Sequence, residues 1–236
     1  MTKKAVVVLS GGLDSTTVLY LAKSRGYEIY ALTFDFGQRH KIEIEHAKEV
    51  AKNIAKEHKL LRLAIDQIGG SSQTTDIEMP TFDSVDQIEN KIYNTYTPFR
   101  NGIFLSYAIA YAESIGADTL FMGPNKDDYH NYPDCRPNFY KTFETAANIG
   151  SKFGAEGGRF KIETPLVEMY KPEIIKLGLS LGVDYSKTFS CYNPTPEGIS
   201  CGKCMSCNLR ISSFTEAGFC DPIAYKGKIK EQTGGS

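Results

Sequence analysis

The chain has 236 residues, 41% of them hydrophobic and 23% charged, and its 27 Lys and Arg against 28 Asp and Glu leave a formal net charge of -1. That composition fits a folded globular chain and excludes the disordered and fibrous classes, while the balanced charge excludes the basic footprint of a dedicated nucleic-acid binder. Basic residues near the start precede an apolar run too short for a secretory core, and no stretch approaches the ~18 apolar residues of a membrane span. The expectation is a cytoplasmic protein forming one domain over residues 1–236, with neither membrane nor nucleic acid as partner.

In chain order, "AVVVL" (5–9) reads as a fully buried strand, and "STTVLYLAKSRG" (15–26) as a helix with Val18, Leu19, Leu21 and Ala22 on one face and Gly26 closing it. "EIYALTFDF" (28–36) reads as a second strand, Arg39 to His58 as a charged amphipathic helix, and "KLLRLAI" (59–65) as a third strand. Residues 67–98 are polar and irregular; a connection that long is functional or mobile, and a lid is expected there. Helix "NGIFLSYAIAYAESIG" and strand "DTLFMG" restore the alternation, before "PNKDDYHNYPDCRP" places charged and aromatic residues at a strand's C-terminal end, where open parallel sheets bind ligands. A helix over 139–149, strand "FKIETPL", helix "KPEIIKLGLSLG" and a cysteine-rich tail follow. This β-α-β order predicts an α/β doubly wound parallel sheet of about five strands with the tail packed at one end.

The junction "LSGGLDSTT" (9–17) empties a strand through two glycines into a helix. Backbone N–H groups at a helix N-terminus favour an anion, Gly11 and Gly12 permit close approach, and Ser10, Ser15 and Thr16 add hydroxyls. Without the lysine of the familiar nucleotide loop, this turn must grip phosphate differently. Asp14 would repel a phosphate unless Mg²⁺ lay between them, so it is assigned to the metal or to capping the helix. Ser-Gly-Gly-x-Asp-Ser resembles the pyrophosphate loop of the ATP pyrophosphatases, enzymes with an adenine nucleotide alpha hydrolase-like fold that split ATP into AMP and pyrophosphate.

"CYNPTPEGISCGKCMSC" carries Cys191, Cys201, Cys204 and Cys207. Two-residue spacings aim paired sulfurs at one ion, and four thiolates complete tetrahedral Zn²⁺, so a structural zinc site is expected within residues 188–225. Disulfides are disfavoured in a reducing compartment. An iron-sulfur cluster stands as the other alternative. Cys135 and Cys220 lie outside the set.

"DFGQRH" (35–40), "FRNGIFLS" (99–106), "DDYHNYPDCRP" (127–137), "FSCY" (189–192) and the cysteine tail together resemble the 7-cyano-7-deazaguanine synthase family of the ATP pyrophosphatase class, from Val6 to "DPIAY" (221–225). The resemblance implies ATP-dependent conversion of a 7-deazapurine carboxylate and ammonia into a nitrile through adenylated carboxylate and amide, with Mg²⁺, and a homodimer. An alternative keeps the adenylation but delivers the activated group to another amine.

Under that resemblance Asp14, Ser15 and Lys171 are the catalytic candidates. Leu9, Ser10, Gly11, Gly12, Leu13, Asp14, Ser15, Thr16, Arg100 and Asn101 would hold the nucleotide. Gln38, Arg39, Asp128, Tyr129, Tyr132, Asp134 and Arg136 would hold substrate: Asp134 accepts from the guanidine-like edge, Tyr132 or Tyr129 stacks, and Arg136 meets a carboxylate or phosphate. His40 follows Gln38 and Arg39 at the end of the second strand, where the adenine is expected. The chain departs from the family's usual pattern at "TPFRN", with Phe99 where a glycine is usual, and at "GPNKDD".

Overall fold

The computed structural model describes residues 3–227. Five parallel strands, β1 (Lys4–Val8), β2 (Glu28–Asp35), β3 (Glu57–Arg62), β4 (Thr119–Phe121) and β5 (Lys161–Glu163), form one sheet in the order β3-β2-β1-β4-β5. The valine-rich β1 lies at the centre because both its faces are covered: Ala5, Val6 and Val7 are fully buried. Alternate residues of β1 serve opposite layers. Ala5 and Val7 pack with α1 (Leu13–Ser24), α2 (Ile42–Ala51), α6 (Lys171–Ser180) and α7 (Met205–Ala217), whereas Val6 packs with α3 (Arg100–Ile115) and α4 (Pro137–Gly150). A single turn, α5 (Lys152–Ala155), leads into β5.

Strand order reverses between β1 and β4, so their C-terminal ends diverge and leave a crevice. The glycine turn opens into it from β1. Gly11, at φ 85°, is wedged against α2: an added Cβ would overlap the Glu43 carbonyl oxygen and lie 2.6 Å from the Ala47 nitrogen.

Three expectations needed correction. The helix read over Arg39–His58 begins at Ile42 and ends at Ala51. Gln38 to His40 instead form a turn, and β3 claims Glu57 and His58, which pair with Tyr30 and Ala31; sheet pairing overrides local helix preference. Residues 67–98 are a strap rather than a free lid. Ser71, Ser72 and Gln73 are fully buried, Thr95 and Thr97 nearly so, and the Phe82 N–H donates to the Lys203 carbonyl at 2.8 Å. The cysteine-rich tail also contains a thirteen-residue helix, α7, with Cys204 at its N-cap.

Replacing Gly11 with alanine should lower unfolding free energy by about 1–3 kcal/mol through overlap and positive-φ strain. At Gly26, also left-handed at φ 78° but with open space around it, alanine should cost only ~1 kcal/mol. Urea midpoints at unchanged m-values measure both.

Candidate active site

At the crevice the turn is stapled by its own hydroxyls. Ser10 Oγ and Ser15 Oγ lie 3.0 Å apart, Ser10 Oγ accepts from the Gly12 N–H at 3.3 Å, and Ser15 Oγ donates to the Gly12 carbonyl at 3.3 Å. The segment before α7 backs this arrangement. The Phe189 N–H donates to the Gly11 carbonyl at 2.9 Å, and Ser190 Oγ accepts from the Leu13 N–H at 3.4 Å. Arg210 holds that segment in turn, with Nη1 at 2.7 Å from Thr188 Oγ1 and 3.5 Å from Ser190 Oγ, and with a two-pronged pair to Asp221 at 2.8 and 3.0 Å.

Lys171 opens α6 across from the turn. Its Nζ lies 3.1 Å from Asp14 Oδ2 and its backbone N–H donates to Asp127 Oδ2 at 2.9 Å. Burial opposes the ammonium charge, but Asp14, Asp128 and Asp127 outweigh it and hold its pKa above the ordinary lysine value. Asp14 Oδ1 is buried without a partner, an acceptor left for a cation. Burial pushes the Asp128 carboxyl up to about 6, with Asp14 and Asp127 adding to the rise and Lys171 opposing it.

The far wall is aromatic. Tyr132, Tyr140 and Tyr192 line it with Asn131 and Cys135, and Tyr132 Oη lies 3.2 Å from Thr95 Oγ1 of the strap. Gln73, also from the strap, accepts from Arg100 Nη1 at 3.0 Å and so aims that guanidinium. Burial pushes the Cys135 thiol well up, which leaves it a packed wall group rather than a nucleophile.

Of the residues singled out from sequence, Ser10, Gly12, Leu13, Asp14, Ser15, Arg100, Asn101, Asp128, Tyr132 and Lys171 line this one cleft. Leu9, Gly11 and Thr16 lie behind it in the packing. Gln38 is consumed locally: Oε1 accepts from the Phe36 N–H, and Nε2 donates to the Phe34 carbonyl and to Glu43. Arg39 lines a separate outer concavity with residues 193–198. Tyr129 donates its hydroxyl to the Val167 carbonyl, and the exposed Arg136 donates to the Tyr129 carbonyl at 3.0 Å. Asp134 sits under the start of α3, where Oδ2 accepts from the Asn101 N–H at 2.9 Å; a carboxylate there complements the helix dipole. Sequence reasoning missed Glu43, Gln73, Ser190 and Arg210, whose polar types signal an exposed surface until the fold buries them.

Phe99 has φ 54°, the only positive φ on a non-glycine among the described residues. It occupies the left-handed N-cap of α3 that glycine adopts without penalty.

The sulfurs of Cys191, Cys201, Cys204 and Cys207 lie within 4.8 Å of one another. Tetrahedral thiolate coordination needs sulfurs about 3.8 Å apart, and Cys201 and Cys207 already stand at 3.9 Å. Backbone N–H groups of Cys201 and Cys204 point at sulfurs, each at 3.2 Å, as suits negatively charged thiolates. The donor set fits a metal ion.

Parallel strand order, a glycine turn at the switch point and the facing cation define a doubly wound α/β protein with an anion-binding turn at its crevice. A solved structure of NMN synthetase from Francisella tularensis is similar at 20% identity and TM-score 0.49, covering 92% of this chain and 78% of that one. The chain belongs to the QueC family, whose model, described as queuosine biosynthesis protein QueC, matches residues 4–218. It is 52% identical over 227 residues to the 7-cyano-7-deazaguanine synthase of Geobacter metallireducens, covering 95% of this chain and 94% of that protein. It is 49% identical over 233 residues to the protein of that name from Geotalea daltonii, covering 98% and 100%.

Asp128 binds its proton more tightly when folded than its ordinary value of 3.8 allows, so its contribution to stability is present below that value and lost as pH rises through about 6. Asp128→Asn should abolish this loss in the ligand-free protein. Relative to wild type, its urea midpoint should climb between about pH 4 and about pH 7.

Proposed function

We propose that this chain is a 7-cyano-7-deazaguanine synthase that converts 7-carboxy-7-deazaguanine and ammonia to the nitrile at the cost of ATP. The observation that carries the reading is that one cleft joins the glycine turn, with Asp14 and Lys171, to the aromatic wall around Tyr132. The full-length likeness to proteins of that name supplies the chemistry.

A carboxylate is a poor electrophile, so it must gain a leaving group. Its oxygen attacks the α-phosphorus of ATP, and pyrophosphate departs against the backbone and hydroxyls of residues 10–16. Lys171, held charged by its carboxylates, faces the growing negative charge. Ammonia adds at the acyl carbon, and AMP leaves with the former carboxylate oxygen. In a second round the amide oxygen attacks another ATP; loss of AMP and both nitrogen-bound protons leaves the triple bond. Arg100, aimed by Gln73, and Asn101 steady the phosphates, while Tyr132 stacks on the base. Asp134 acts through Asn101 by fixing the start of α3. Leu9, Gly11 and Thr16 shape the turn from behind.

Mg²⁺, when bound, neutralises charge on the triphosphate; Asp14 Oδ1 is the protein oxygen free for it, and phosphate oxygens and water would complete its shell. The four cysteines hold Zn²⁺ in the segment 188–225 of a single domain, closing the site completely, which makes this ion structural. In the same reading the protein is a cytoplasmic homodimer acting on free small molecules; its balanced charge supports independence from nucleic acid.

Incubation with ATP, Mg²⁺, the carboxylate and ammonium should yield the nitrile by mass. Accumulation of amide alone sinks the second round, and a conjugate with an added primary amine would favour the alternative acceptor. Lys171→Met should slow turnover by about 10²–10³-fold. Stripping the metal with a thiol-reactive mercurial and a chelator should release one zinc per chain and lower the melting temperature; release of iron instead would contradict the zinc assignment.

A further inference from the structure

One buried titratable group has no part in the steps above. His40 is 3% exposed and lines the cleft, with Nε2 3.4 Å from Glu43 Oε2. Its Nδ1 is buried without a partner. A solitary imidazole nitrogen sealed from water without a hydrogen bond is costly, which points to a ligand that completes it.

Its surroundings locate that ligand. Glu43, which orients the ring, belongs to the turn of α2 against which Gly11 is wedged, so the ring is tied to the phosphate loop. On its other side the Tyr192 ring is 5.7 Å away, part of the same cleft wall as Tyr132. His40 therefore stands between the phosphate grip and the aromatic wall, where the acyl carbon of an adenylate spanning the two must lie. It also lines the outer concavity formed by residues 39–42 and 193–198. The imidazole is thus a partition between the acyl carbon and a second opening to solvent.

We propose that His40, oriented by Glu43, is the base that converts ammonium to the attacking ammonia. Ammonium dominates over ammonia at neutral pH and has no lone pair. The Nδ1 lone pair takes one proton from it, while Nε2–H stays on the side facing Glu43. The freed nitrogen forms the C–N bond, and the acyl C–O bond breaks with its electron pair going to AMP. A second proton leaves the nitrogen for the departing phosphate or water, and Nδ1 later returns its proton to solvent. The proposal rests on the nitrile-synthase reading, since it concerns the nucleophile of that reaction.

The test separates the half-reactions in His40→Asn, His40→Gln and Glu43→Gln. Carboxylate-dependent exchange of labelled pyrophosphate into ATP reports adenylation without ammonia. Amide formation from ammonium reports the whole step, and hydroxamate formation from hydroxylamine, largely unprotonated at neutral pH, reports attack that needs no base. The His40 variants should lose about 10²-fold or more in kcat/KM for ammonium while losing far less in hydroxamate formation and exchange, and Glu43→Gln should fall between. Equal losses with ammonium and hydroxylamine in every variant that still exchanges pyrophosphate, or no selective loss with ammonium, overturn the proposal. Absence of carboxylate-dependent exchange in the wild-type protein overturns the synthase reading instead. Should a His40 variant fail to fold, Glu43→Gln decides by the same ratio.

Discussion

Arg210 is 1% exposed, and its guanidinium is committed on all sides, to Asp221, Thr188, Ser190 and the Tyr185 carbonyl. A charge buried that deeply persists only because its partners are complete; removing one of a buried pair typically costs about 3–5 kcal/mol. The consequence reaches the cleft. Arg210 fixes Ser190, Ser190 accepts from the Leu13 N–H, and the Phe189 N–H closes on the Gly11 carbonyl, so the phosphate turn is braced from the C-terminal side. The cysteine cluster completes this brace, because Cys191 follows Ser190 directly and Cys207 lies on the same helix as Arg210. Preorganised donors lose no reorganisation energy when pyrophosphate forms, the condition under which electrostatic stabilisation is strongest.

The opposite side of the cleft shows the same economy with charge. Lys171 is held by Asp14 and flanked by Asp127 and Asp128, leaving an ammonium that stays charged despite burial. The strap over residues 67–98 reaches this side through Gln73 and Thr95 and reaches the cysteine cluster through an isolated bridge between Thr81 and Cys204. One long polar segment therefore joins Arg100, Tyr132 and the cysteine-rich tail.

Much of the architecture was legible because burial on both faces forces apolar runs: β1, β2 and their crossover helix stand out from Ala5 to Phe36. The glycine turn and the cysteine spacing were legible because each chemistry restricts residue type at short range. The α2–β3 boundary was not, since Glu57 and His58 belong to a strand only through pairing with β2. Nor was the allocation of acids around the cleft. Asp134 and Asp128 are only six positions apart, yet one caps α3 while the other faces Lys171, a difference set by the two separate short turns that carry them. Arg210 and Glu43 read as helix-surface charges until the tail and the turn are folded against them.

The central claim is that both carboxylate oxygens leave on AMP, one in each adenylation. Turnover of 7-carboxy-7-deazaguanine labelled with ¹⁸O in its carboxylate measures this directly. The account predicts AMP carrying one label from each round, with unlabelled pyrophosphate. Label recovered in orthophosphate alongside ADP, or lost to water while AMP stays unlabelled, would contradict it.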